Sequence, residues 1–137
     1  MMAGYSGTPL PRKLGLKENQ RIAFINPPDN FEALVGPIPP TTLLLKKLTA
    51  PIDLAVLFVD QEKVLAKEFP KIAKKLSPNG MIWVAWPKKT SGVTTDLMFE
   101  RVQRIGLEVG LVDVKICAID EVWSGLKFVI RLEDRKK

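Results

Sequence analysis

Asp53-Leu54-Ala55-Val56-Leu57-Phe58-Val59-Asp60 is the stretch that decides the fold. Every interior position is apolar, as in strands covered on both faces, and such strands belong to parallel sheets flanked by helices. Arg21-Ile22-Ala23-Phe24-Ile25-Asn26, closed by Pro27-Pro28, and Met81-Ile82-Trp83-Val84-Ala85-Trp86 have the same character. Between the second and third runs, Leu65, Phe69, Ile72 and Leu76 recur at helical spacing. Lys63, Lys67, Lys71 and Lys74 fall on the opposite, wet side of that helix. Asp60 is placed to cap it, and Pro70 to kink or split it. Ser77-Pro78-Asn79-Gly80 then turns the chain into the next strand.

Outward from this centre, residues 1–20 read as an irregular arm with one helical turn near Arg12 to Leu16. A short helix over Asp29 to Val35 stops at Gly36-Pro37, and Thr42 to Leu48 leans to a strand. Beyond the loop Pro87 to Val93, Thr94 or Thr95 caps a helix carrying Met98, Val102, Ile105 and Val109 on one stripe. Val112, Val114, Ile116 and Ala118 then alternate with Asp113, Lys115 and Cys117, and Leu126, Phe128, Ile130 and Leu132 with Lys127, Val129 and Arg131. Two such strands joined through Glu121-Val122-Trp123-Ser124-Gly125 make an antiparallel hairpin. Glu133 to Lys137 is a charged tail. The alternation of strands and helices predicts one α/β domain over residues 1–137, a three-layer, mostly parallel Rossmann-like sheet ending in an antiparallel hairpin.

The 137 residues are 46% apolar and 26% charged, a globular composition. There is no histidine and a single cysteine, Cys117, placed mid-strand and read as buried and inert. Ser-His-Asp and Cys-His catalysis, histidine-ligated metals and internal disulfides are thereby excluded. No metal site and no cofactor are expected. No signal-peptide segment or membrane span is visible, so a cytoplasmic, soluble protein is the expectation. The formal charge is +6 with lysines spread along the chain, which favours weak attraction to polyanions and says little for a nucleic-acid function.

The order of elements resembles a shortened class I methyltransferase-type Rossmann fold. Leu76-Ser77-Pro78-Asn79-Gly80-Met81 is similar to the leucine-x-proline-x-glycine turn before one strand of that family. The resemblance implies a strand order of 2-1-3-4-6-5 with the last strand antiparallel. It fails at the first loop, where the family's glycine-rich turn lets the backbone approach its cofactor. Asn26-Pro27-Pro28-Asp29-Asn30 stands there, and two prolines remove two amide donors. Lys46 and Lys47 stand where the family carries an acid for the ribose. Over nearly its full length the chain also resembles an uncharacterised bacterial family of small domains. The matching segments include Tyr5-Ser6-Gly7-Thr8-Pro9-Leu10, Trp83-Val84-Ala85-Trp86-Pro87-Lys88-Lys89 and Trp123-Ser124-Gly125-Leu126. That likeness implies a fold and brings no chemistry.

Ligands of open α/β sheets bind outside the carboxyl ends of the parallel strands. Chain tracing puts Asn26 and Asp29, Asp60, Lys88 with Lys89 and Ser91, and Asp120 with Trp123 on that one edge. Lys88, Lys89 and Ser91 before a helix start have the chemistry of an anion site, against the alternative of a solvated loop. Trp123 could stack on a ligand, anchor a partner or cap the core. Asp29, Asp60, Asp120 and Glu121 could supply an acid-base pair or could cap helices and turns. No residue is assigned a catalytic role.

The preferred reading is a non-catalytic binding domain that takes a small anionic ligand, or an acidic patch on a protein partner, at the carboxyl edge. The alternative is an enzyme of unassigned type, a degenerate methyltransferase included, using carboxylates and lysines at the same edge. Oligomeric state is not encoded in any feature above.

Overall fold

The three fully apolar runs lie side by side, as strands that need cover on both faces must. The computed structural model describes residues 8–135. Its elements are α1 (Leu10–Leu14), β1 (Arg21–Ile25), α2 (Phe31–Val35), β2 (Leu43–Leu44), β3 (Ile52–Phe58), α3 (Glu62–Ala73), β4 (Leu76–Pro87), α4 (Phe99–Val109), β5 (Leu111–Ala118) and β6 (Trp123–Ile130). One sheet runs in the order β2-β1-β3-β4-β6-β5. Neighbours are parallel from β2 to β4, and β6 is antiparallel to both β4 and β5. This is the mostly parallel, Rossmann-like order that the sequence implied.

Each face of the sheet has its own core. Leu65, Phe69 and Ile72 of α3 and Val102 and Ile105 of α4 bury Ala55, Leu57, Ile82, Val84 and Phe128 on one side. Leu10 and Leu14 of α1 and Phe31 and Val35 of α2 bury Ile22, Leu54, Val56 and Trp83 on the other. Trp83 is fully buried, and its indole Nε1 donates to the Leu14 carbonyl at 2.9 Å, fastening α1 to the sheet. Part of the expected irregular arm is therefore a docked element. Tyr5 to Gly7 lie outside the described residues. No helix among the described residues is long and apolar enough to cross a membrane.

Local expectations failed where tertiary contacts outweigh local pattern. The first helical turn sits at Leu10–Leu14 rather than near Arg12 to Leu16, with proline at its start. Only Leu43 and Leu44 of the Thr42 to Leu48 run pair with β1. α3 continues through Pro70 for another turn. Ser77 to Gly80 is not a free turn but an irregularity inside β4, where pairing with β3 jumps from Ile52↔Leu76 to Leu54↔Met81. α4 begins at Phe99, so neither Thr94 nor Thr95 is its cap. In β5 a bulge intervenes between Asp113↔Phe128 and Lys115↔Lys127, which breaks the simple alternation. Cys117 is half-buried rather than buried.

α4 packs tightly on the sheet at Gly106, where an added Cβ would overlap the Phe128 ring. Gly→Ala in an open helix interior gains about 1 kcal/mol of helix propensity. Here the sign reverses: Gly106→Ala is expected to destabilise by about 1–3 kcal/mol through overpacking, read as a lower midpoint in thermal denaturation. A raised midpoint would show that α4 is free to move off the sheet.

Candidate functional site

β4 ends at Pro87, directly paired with Trp123 at the start of β6. The next amide, Lys88 N–H, donates to the Val122 carbonyl at 2.7 Å. The loop after β4 and the hairpin turn are thus stitched together at the carboxyl edge, where β1 and β3 also deliver Asn26 and Asp60.

The segment from Lys88 to Met98 is held by its own polar groups. Ser91 Oγ donates to the Lys88 carbonyl at 2.7 Å and accepts from Val93 N–H at 3.1 Å. Thr95 Oγ1 donates to the Asp60 carbonyl at 2.7 Å and accepts from Leu97 N–H at 3.0 Å. Asp96 Oδ1 accepts from Glu62 N–H at 2.8 Å. That bond supplies the first turn of α3 with the acceptor expected from Asp60, whose side chain does not cap. Glu62 in turn binds Arg101 at 2.9 Å and Arg104 at 3.3 Å, tying α3 to α4.

This pinned loop bounds a cavity of about 710 Å³ between the end of β4 and the start of α4. Lys88, Lys89 and Arg101 bring three cations to its lining, and Asp96 one carboxylate. Buried Trp86 and Leu97 contribute apolar surface, and the exposed side chains of Val93 and Met98 belong to the same lining. The volume falls in the range of about 300–1,000 Å³ usual for small-molecule sites.

Five of the eight expected site residues line this cavity or a smaller hollow, and Asp60 also borders a space of about 580 Å³ with Gln61, Lys63 and Thr94 to Asp96. Lys88 and Lys89 line the larger one. Asn26, Asp60 and Trp123 meet in a hollow of about 270 Å³ with Phe58, Val59 and Val64. Asn26 holds a left-handed backbone with φ 57°. Asp29 is exposed after β1 and lines neither space. Ser91 is occupied within its own loop. Asp120 Oδ1 accepts from the N–H groups of both Val122 and Trp123 at 2.8 Å, so its carboxylate organises the hairpin turn. Trp123 lies in a strand rather than at the turn's tip. It is half-buried and sets its ring edge-on against Phe58 at 5.1 Å. Burial pushes the Cys117 thiol up, with Lys13 and Lys115 opposing. Among the described residues no group of three or more Cys, Asp or Glu side chains could hold a metal ion. Arg101 of the lining is not among the residues that the sequence singles out. The signal available for Arg101 was its place in the first turn of a helix that must start at the carboxyl edge.

No family model matches the sequence, and no curated protein matches it. Solved structures do. Fibrillarin from Methanococcus jannaschii, a pre-rRNA processing protein, is similar with a TM-score of 0.60 at 14% identity, over 90% of this chain and 69% of that one. Aeropyrum pernix fibrillarin, solved with natively bound S-adenosyl-L-methionine, gives 0.58 at 16%, over 92% and 70%. A SAM-dependent methyltransferase from Aquifex aeolicus gives 0.61 at 13%, over 88% and 87%. At these identities the likeness establishes the methyltransferase-like Rossmann scaffold.

Asp120→Ala leaves two amides of the hairpin turn without their acceptor. The expected loss is about 1–3 kcal/mol, measured by urea denaturation, with a change in near-ultraviolet circular dichroism from Trp123. Asp120→Asn keeps an acceptor oxygen and should recover most of the loss. Equal stability of Asp120→Ala and the parent would show that the turn does not depend on this carboxylate.

Proposed function

We propose that this chain is a ligand-binding domain on a methyltransferase-like scaffold, taking a small anionic molecule in the cleft between the end of β4 and the start of α4. The observation that carries this reading is the cavity itself, with Lys88, Lys89 and Arg101 beside the apolar surface of Trp86 and Leu97. Arg101 already shares Glu62, so the two lysines supply the charge left for a ligand. The apolar surface suits the body of the molecule and the lysines its anionic end.

The residues after β1 and β2 do not fit S-adenosyl-L-methionine, the molecule bound to one of the similar structures. Pro27 and Pro28 offer no amide hydrogens where the cofactor would need close backbone donors, and the Pro28 carbonyl closes the turn by accepting from Phe31 N–H at 3.0 Å. β2 is followed by Leu45, Lys46 and Lys47, with no carboxylate to accept from a ribose. Phe24, Phe31, Phe58 and Trp123 form a row of edge-to-face rings at 4.9, 4.8 and 5.1 Å. The hollow beside this row is about 270 Å³ and is bounded by Phe58 and Trp123 of the row itself. The alternative of a degenerate methyltransferase draws its support from the fold alone.

A thermal-shift screen with nucleotides, sugar phosphates and S-adenosyl-L-methionine tests the reading. A ligand at a hundred times its dissociation constant stabilises by about 2.7 kcal/mol. The Lys88→Ala/Lys89→Ala double variant should keep the parent's midpoint and lose the shift given by anionic ligands. An undiminished shift in the double variant would remove the cleft from consideration, and a shift by S-adenosyl-L-methionine alone would favour the enzyme.

A further inference from the structure

Glu62, at the start of α3, does not line the β4–α4 cleft, yet it holds two of the charged residues that do, Asp96 and Arg101. Its backbone N–H donates to Asp96 Oδ1 at 2.8 Å, and its Oε1 accepts from Arg101 Nη1 at 2.9 Å. Its second oxygen, Oε2, accepts from Arg104 Nη2 at 3.3 Å. Backbone and both carboxylate oxygens are thus engaged, so turning away from Arg101 would break the Arg104 bond as well.

Packing does not require this arrangement. α3 and α4 already share a core through Leu65, Phe69, Val102 and Ile105. The Glu62 and Arg101 side chains are 29% and 43% exposed, and ion pairs in such surroundings contribute little to stability. Arg104, which does not line the cleft, would by itself join Glu62 to α4. Glu68, the other acid of α3, pairs with Lys71 of its own helix.

The consequence for the cleft is electrostatic. Among the described residues Lys88 and Lys89 form no ion pair, so an anionic group that enters meets them without a competitor. Arg101 differs, because a ligand group that reaches it must share or displace a carboxylate already bonded to the guanidinium. Such charge-assisted bonds are among the stronger polar contacts. Asp96 adds a second negative charge beside it.

We propose that Glu62 is a specificity-determining residue of the cleft, which by occupying Arg101 limits the ligand to one or two negative charges. The inference rests on the reading of this cleft as an anion site and adds to it a ceiling on charge. The class selected is an apolar molecule with one or two ionised groups, and polyanions such as nucleoside triphosphates are turned away.

The test keeps one apolar body and varies its charge. Benzoate, phthalate and benzene-1,2,4-tricarboxylate are titrated at pH 8 and fixed ionic strength into the full chain, followed by the amide nuclear magnetic resonance signals of Lys88, Lys89 and Leu97. The parent should bind the tricarboxylate no more tightly than phthalate. Glu62→Gln, which keeps the side chain's length and the backbone bond to Asp96, should raise the preference for tricarboxylate over benzoate about tenfold, the worth of one charge-assisted hydrogen bond. In an Arg101→Gln background the same substitution should leave that preference unchanged, and so should Glu68→Gln in the parent, an equal charge change farther along α3. A merely structural role would move all three affinities together. A gain that is equal for the three anions, or that persists without Arg101, would overturn the role of Glu62 and leave the cleft standing. Cleft signals that move with none of the three would remove the anion site and this inference with it.

Discussion

β3 from Leu54 to Phe58 and β4 from Met81 to Trp86 carry apolar side chains at every position, so neither stretch tolerates water on either face. Helices must cover both sides, with α3 and α4 on one and α1 and α2 on the other. That leaves the ends of the sheet as the place where polar groups can gather without disturbing a core. The antiparallel β6 makes the edge more than a row of loose loops. By pairing along β4 as far as Pro87 and Trp123, it brings the hairpin turn against the loop after β4. The Lys88–Val122 backbone bond then fixes the floor beside which the larger cavity opens.

The scaffold and the local chemistry point to different places on this edge. In open α/β sheets the crevice at the switch in strand order is the usual ligand position. Here a row of four aromatic rings, two prolines and a left-handed Asn26 occupy that neighbourhood. The roomier space lies further along the edge, beyond β4, and its lining combines lysines with tryptophan and leucine. The proposed shift of binding from the crevice to this cleft explains how a methyltransferase-like architecture can persist with its glycine-rich turn absent.

What was legible in the sequence follows from the range of the forces involved. Runs buried on both faces, such as 53–60 and 81–86, announce themselves by composition, and alternating helices and strands leave few windings, so strand order could be read. Caps and helix starts could not, because they depend on partners distant in sequence. Asp96 takes the capping role offered to Asp60, and Thr95 is spent on the Asp60 carbonyl, so α4 starts only at Phe99. The edge position of Lys88 and Trp123 followed from tracing the chain, whereas the part played by Asp120 in its own turn became visible only with hydrogen bonds. The bulge at Val114 was hidden because a period-two pattern carries no mark of an inserted residue.

The closed crevice is tested most directly by an amide-resolved nuclear magnetic resonance titration of the full chain with S-adenosyl-L-methionine. If the aromatic row and the two prolines deny the cofactor its place, the signals of Ile25, Asn26, Phe31 and Leu45 stay where they are throughout the titration. Saturable movement of those four signals would contradict the closure and return the chain to the cofactor-binding members of its fold.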